Sequence, residues 1–362
     1  MIKLIDKTMI LFFFLLGVFP CFLYSDEARA GDYKVGVYYF PGWKDNQLGA
    51  PSPFPWEPIK GYPEREPLLG WYKEGDDNVT RTHLEWMSKY HVNFVVYDWY
   101  WGGGKTYLDH ALLSYLRVSN DYPVGFSLLW ANHSVTPKSE QDFASMVSYW
   151  CQNYFKKSKY QTINGWPVVY IFSASMLEEN AKKIGKSTKE LFELAQNIAK
   201  SNGLKGIYFV GGVGAYEPFF KTYGTKGPYS AYSAYNYHTG KLDQSPPFEF
   251  SHSYEELSNG YQYQWEWFFR NQNIPYITPI TAGWDKSPWK GSKDKCHDMS
   301  FSNPEQFKLH LERAKKIMDE YPEKSMKMTV ICCWNEFGEG SVIEPTKKYG
   351  FEYLELISDV FK

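Results

Sequence analysis

Short apolar runs alternate with amphipathic helical runs along most of this chain, and that alternation restricts the fold more than any other feature. The apolar runs read as strands over 34–39, 94–98, 124–130, 167–171, 207–210, 231–237, 276–280 and 328–333. Helical patterns fall between most of them. One surrounds Glu85-Trp86-Met87 behind a cap at 76–78; others cover 107–117, 140–155, 188–202, 254–270 and 304–320, and a last one covers 352–360. Strands separated by helices imply parallel pairing, because a parallel crossover needs a long connection and a helix covers the sheet face. Eight such units count as a (β/α)8 TIM barrel. It would be a single α/β domain whose 362 residues exceed the usual ~250 and leave room for long βα loops. The Pro- and Trp-rich stretch 40–70 is one such loop. An open doubly wound sheet would bring a phosphate-binding glycine fingerprint. Neither Gly102-Gly103-Gly104 nor Gly211-Gly212-Val213-Gly214 has the G-x-G-x-x-G spacing.

The first thirty residues stand apart. Lys3 and Lys7 flank the start of an apolar run over 9–24, and Ala28-Arg29-Ala30 offers small residues for cleavage. This is the pattern of a signal peptide over 1–30, with the mature domain over 31–362. The run is shorter than the ~20 residues of a membrane span, so no stable insertion is expected after its removal. The mature protein is predicted to be secreted or periplasmic. Pro20 before Cys21 departs from a lipobox, which argues against a lipid-anchored form. Four cysteines remain, Cys151, Cys296, Cys332 and Cys333, and their spacing fits no zinc pattern. Adjacent residues of a strand face opposite sides, so Cys332 and Cys333 are expected to be buried free thiols.

Net charge is -2. A nucleic-acid partner usually demands a basic face, and none is visible. Aromatic residues make up 19% of the chain, with 30 Tyr and 14 Trp. Rings with polar edges suit a surface that meets both apolar and hydroxylated groups, as sugar faces do. A carbohydrate partner is therefore expected.

Barrels of this kind place their chemistry on the loops after the strand C-terminal ends. Here those positions concentrate Trp, Asn, His and carboxylates. The candidate substrate-binding residues are Tyr39; Asp98, Trp99 and Trp101; Trp130, Asn132 and His133; Tyr237; Trp284 and Asp285; Trp334 and Asn335. Glu336 and Glu339 follow the eighth strand. Alone, two glutamates three residues apart are most often a solvated loop. Set on the same rim as six polar strand ends, they become candidate catalytic residues, one to give a proton and one to take a proton or attack. No H-x-H, H-E-x-x-H or calcium-loop spacing points to a catalytic metal, and no G-x-S-x-G marks a serine nucleophile. No metal or other cofactor is predicted.

The segment Trp334-Asn335-Glu336-Phe337-Gly338-Glu339-Gly340, followed by Ile343-Glu344-Pro345, is similar to the W-N-E-W-x-E-G…I/L-E-P signature of glycoside hydrolase family 99-like proteins. That group includes endo-α-1,2-mannosidases and the WbsX-like domain of polysaccharide gene clusters. Tyr97-Asp98-Trp99-Tyr100-Trp101, Leu129-Trp130-Ala131-Asn132, Asn164-Gly165-Trp166-Pro167-Val168 and Ala282-Gly283-Trp284-Asp285 also look alike. The resemblance implies a (β/α)8 barrel over 31–362 and a retaining, endo-acting hydrolase. It implies that Glu336 deprotonates the sugar's own 2-hydroxyl, which attacks the anomeric carbon. Glu339 would protonate the leaving group and then activate water. This is a substrate-assisted variant of the two-carboxylate scheme. The acid must stay protonated near neutral pH, which burial among aromatics achieves. Two positions depart from the family: Phe337 stands where Trp is usual, and Gly338 where the mannosidases carry His, so the local pocket differs. Some relatives carry a glycosyltransferase label, but predicted export separates this chain from cytoplasmic nucleotide-sugar donors. A non-catalytic sugar-binding barrel would need no acid/base pair.

Overall fold

The parallel pairing expected from the alternation is present. The structure, a computed structural model, describes residues 33–240 and 250–362. The predicted signal peptide over 1–30 lies outside the described residues. Strands β1 (Lys34–Tyr39), β2 (Phe94–Gly102), β3 (Gly125–Trp130), β4 (Trp166–Ile171), β5 (Tyr208–Gly212), β6 (Ala231–Ser233), β7 (Thr278–Thr281) and β8 (Met328–Cys332) pair in the order 6-5-4-3-2-1-8-7. The remaining gap closes through Tyr232 and Tyr276. Tyr232 N donates to Pro275 O at 3.0 Å, and Ile277 N donates to Tyr232 O at 2.9 Å. The fold is the (β/α)8 barrel, and closure removes the free edges that an open sheet would leave.

Helices α1 (Asp77–Lys89), α2 (His110–Val118), α3 (Glu140–Asn153), α4 (Ala174–Lys183), α5 (Thr188–Ser201), α6 (Tyr254–Asn271), α7 (Pro304–Glu320) and α8 (Glu352–Phe361) surround the sheet. Local chemistry sets their starts. Asp76 and Ser139 each accept a hydrogen bond from a first-turn backbone N–H. Ser187 with Glu190, and Asn303 with Gln306, form capping boxes, the second beside Pro304 at the first helical position. Helix α4, capped by Ser173, is an addition to the predicted set. Between β5 and β6 only a short helical stretch over 217–224 intervenes.

The two-residue period of a strand divides the core into two layers. On β2, Val95, Tyr97, Trp99 and Trp101 face the helices, whereas Phe94, Val96, Asp98 and Tyr100 face the other way. Tyr38, Val96, Leu129, Tyr170, Val210 and Val330 fill the barrel interior. Each such buried side chain contributes about 1.5–3 kcal/mol. A third cluster lies under the long loop after β1, where Trp43 stacks on Trp56 at 4.3 Å and both rings meet Phe337.

The cysteine expectation is corrected for one pair. Cys332 and Cys333 are joined by a disulfide, and the peptide between them is cis, so the alternation of trans-linked strand residues does not apply to them. Cys151 and Cys296 are free thiols, the first buried and the second exposed. No helix among the described residues is long and apolar enough to cross a membrane.

Candidate active site

Beyond β8 the chain turns directly into a hairpin, with Asn335–Glu336 pairing antiparallel to Ser341–Val342. Gly340 closes the turn at φ +70, where side chains are resisted, and a Cβ there would press on the Asp285 backbone. Glu336 thus sits on the first arm and Glu339 in the turn. Asn335 stitches the hairpin to the end of β1: its Oδ1 accepts from Phe40 N and its Nδ2 donates to Phe40 O, both at 2.9 Å. Glu339 O accepts from Asp285 N at 2.6 Å. Buried Arg65 binds both sides of this junction. Its Nη1 donates to Asp285 O at 3.0 Å and to Phe337 O at 2.8 Å, while Nη2 pairs with the Asp285 carboxylate.

A cavity of about 780 Å³ opens at the C-terminal ends of the strands. Every strand supplies part of its wall: Phe40 after β1, Asp98 and Tyr100 on β2, His133 after β3, Phe172 after β4, Gly212 on β5, Tyr235 and Tyr237 after β6, Trp284 and Trp289 after β7, and Glu336 and Glu339 after β8. The Tyr235 hydroxyl donates to Glu336 Oε1 at 2.8 Å. Asp98 Oδ1 and Glu336 Oε2 are buried with no hydrogen-bond partner. Buried polar atoms are nearly always paired, so these two oxygens mark places where a ligand's hydroxyls would bind.

Burial pushes the Glu336 carboxyl well above the usual range, and the charges of Glu339 and Asp98 push it further. Burial raises Asp98 strongly as well, again with Glu339 adding to it. Glu339 is raised to about 7 by burial, against the opposing pull of Lys286, whose Nζ lies 3.9 Å from Oε1. Three carboxyls in one desolvated patch cannot all be ionised at once, so the patch holds protons near neutral pH. His238, on the same wall, is pushed down to about 3 by burial and by its neighbours His297 and Lys286, and is neutral.

Of the residues singled out from the sequence, Asp98, His133, Tyr237, Trp284, Glu336 and Glu339 line this cavity. The others do not line it. Tyr39, Trp99, Trp101 and Trp130 lie on the helix-facing side of their strands. Trp101 Nε1 donates to Asp142 at 2.9 Å and Trp99 Nε1 to the Tyr154 hydroxyl at 3.3 Å. Trp130 packs on Phe143 and Trp150, and Tyr39 on Tyr97 and His83. Trp334 is wholly buried beside His83. Asn132 clamps the ends of β3 and β4: Nδ2 donates to Ser173 O and Oδ1 accepts from Ser173 N, both at 2.9 Å. Asn335 and Asp285 are the hairpin anchors.

Several residues at the site were not singled out: Tyr235, Tyr100, Lys286, Trp289 and Arg65. A period-two reading would have reached two of them, since Tyr235 lies two residues past Ser233 and Tyr100 two past Asp98, each on the same strand face. Trp289 explains the departure at Gly338. A Cβ built on Gly338 would fall 2.1 Å from the Trp289 indole, so the ring occupies the space a side chain would need.

A family profile described as Glycosyltransferase WbsX matches residues 61–357. The chain belongs to the WbsX family. Among curated proteins, the uncharacterized protein WxcX of Xanthomonas campestris pv. campestris strain B100 is 20% identical over 311 residues, covering 79% of this chain and 42% of WxcX. This WbsX-family chain therefore spans about two fifths of the length of that relative. Solved structures that share its fold include the following two. A glycoside hydrolase-like protein matches with a TM-score of 0.66 at 18% identity, covering 92% of this chain and 94% of that one. The GH99 endo-alpha-mannosidase of Bacteroides thetaiotaomicron, in complex with bis-tris-propane, matches with a TM-score of 0.62 at 15% identity, covering 91% and 96%.

Proposed function

We propose that this WbsX-family protein is an exported glycoside hydrolase that cleaves within a polysaccharide or glycan with retention of configuration. The observation that carries the reading is the set of Asp98, Glu336 and Glu339 in one aromatic-walled cavity on the C-terminal face of the barrel. The fold shared with the Bacteroides endo-alpha-mannosidase supports the same reading and makes an α-mannoside-like substrate the first to try. Export rests on the signal-peptide pattern over 1–30.

Glu339 is the general acid. A group near pH 7 is half protonated where it works, the condition under which one carboxyl can give a proton and take one back. Glu336 is the base, and it accepts the proton of the sugar 2-hydroxyl as that oxygen attacks the anomeric carbon. The glycosidic bond breaks while Glu339 protonates the departing oxygen. In the second half, Glu339 takes a proton from water as the water oxygen attacks the anomeric carbon; the bond from that carbon to O2 breaks, and Glu336 returns its proton to O2. For Glu336 to begin ionised, the proton of the patch must rest on Asp98, whose burial and unpaired Oδ1 favour the neutral acid.

The family's description favours a second reading, glycosyl transfer. The two separate on incubation with polysaccharide alone. The hydrolase reading expects new reducing ends without any activated donor; release only when a nucleotide sugar is supplied would sink it. Glu336→Gln and Glu339→Gln are each expected to lower turnover by about 100-fold or more while glycan binding persists. Near-wild-type turnover in either would overturn its role. Binding to glycans with no turnover on any of them would instead identify a sugar-binding barrel.

A further inference from the structure

We propose that His252, Asp294 and Cys296 form a zinc-binding site beside the mouth of the barrel. The three residues come from two loops. His252 precedes α6, and Asp294 and Cys296 lie in the connection from β7 to α7. One donor atom from each lies within 4.8 Å of the others. Tetrahedral zinc, with bonds of ~2.0–2.3 Å, spaces its donors ~3.5 Å apart, so small side-chain rotations close the set. Imidazole, carboxylate and thiolate are all ordinary zinc donors, and a thiolate disfavours calcium and magnesium, which take oxygen cages.

Half of the arrangement is pre-formed by the backbone. Asp294 Oδ1 accepts from Cys296 N at 3.0 Å at the start of the short helix Lys295–Met299, which fixes the carboxylate relative to the cysteine. The other oxygen, Oδ2, lies 2.8 Å from His252 Nε2. Cys296 is exposed and free, and the solvent-facing side leaves room for water as a fourth ligand. His252 and Asp294 lie 42 positions apart, which matches no zinc spacing and hid the set from a reading of the sequence.

The site has a structural consequence. Phe250, two residues before His252, lines the cavity, as do Trp284 and Trp289 on the loop that carries Asp294 and Cys296. Bound zinc would tie together two loops of the same wall. This inference stands apart from the hydrolase reading, since metal uptake is measured without a substrate.

The test uses the full chain, stripped with a chelator and titrated with Zn²⁺ and with Co²⁺. One equivalent of zinc is expected, together with a thiolate-to-cobalt charge-transfer band. Among the described residues Cys151 is buried and Cys332 and Cys333 are disulfide-bonded, so Cys296 is the exposed free thiol there, and a Cys296→Ser variant separates its band from any due to Cys21. Cys296→Ser is expected to lose the band, and both it and His252→Ala to lose the rise in Tm that zinc gives the wild type. Without metal, both variants should melt like the wild type, since both side chains are exposed. Absence of stoichiometric uptake by the wild type, or an unchanged band in Cys296→Ser, would overturn the proposal.

Discussion

Gly338 and Trp289 share one space, and only one of the two positions can carry a side chain there. The indole lies where a Cβ at 338 would fall, so a ring from the β7–α7 loop fills the space beside Gly338. Gly338→Ala would force the ring aside, and overpacking of this kind costs about 1–3 kcal/mol. Trp289→Ala should relieve it, so the double variant is expected to be more stable than the sum of the single changes predicts. Denaturant unfolding of the four proteins measures the coupling. If Gly338→Ala were neutral on its own, the indole would not be fixed over this turn. The departure itself was visible in the sequence; what replaces the side chain was not, because Trp289 comes from a different loop.

The hairpin over 335–342 is the element on which both glutamates depend, and it is held from far away. Arg65, in the loop after β1, is 220 residues from Asp285 along the chain, yet its guanidinium joins Asp285 to Phe337. Arg65→Ala would leave the Asp285 carboxylate buried without its partner and Phe337 O without a donor. Breaking a buried pair in this way costs about 3–5 kcal/mol, which should appear as a large fall in Tm. An unchanged Tm would mean that Asn335 and the Glu339 carbonyl hold the hairpin alone. Nothing local in the sequence marks Arg65, because its partners exist only once the barrel has closed. The start of α1 behind the cap at 76–78 was legible because capping is a short-range matter. Strand positions were legible too, but strand faces were not. A shift of one residue reverses the side a side chain points to: Tyr100 reaches the cavity, while Trp99 and Trp101 on either side of it face the helices. The Cys332–Cys333 disulfide escaped for a related reason, since alternation assumes trans peptides throughout.

For the whole molecule, the buried carboxyls make stability fall as pH rises. Glu339, Glu336 and Asp98 all have folded-state pKa values above those of the unfolded chain. Such a group binds its proton more tightly in the folded state. Its contribution is fully present below the ordinary carboxylate range and is lost as pH climbs through the folded value, about 7 for Glu339. Across that window Glu339 alone accounts for about 3 kcal/mol, since each pH unit between the two values is worth about 1.4 kcal/mol. Paired carboxylates elsewhere, such as Asp298 with Ser292 and Asp319 with Tyr33, have lowered values and act in the opposite sense, but only in acid. The two sets therefore separate along the pH axis. Glu339→Gln is expected to melt higher than the wild type at about pH 8.5, with the difference shrinking towards pH 4.5, where the glutamate is protonated when folded and largely so when unfolded. Glu336→Gln should behave alike, because burial raises its carboxyl in the same direction. A Tm difference that stayed constant with pH, or grew on acidification, would mean that these carboxyls are not raised. The expected result would mean that the fold keeps three carboxyls together at a cost to its own stability near neutral pH, and a cost of that kind is tolerated where the groups are needed for chemistry.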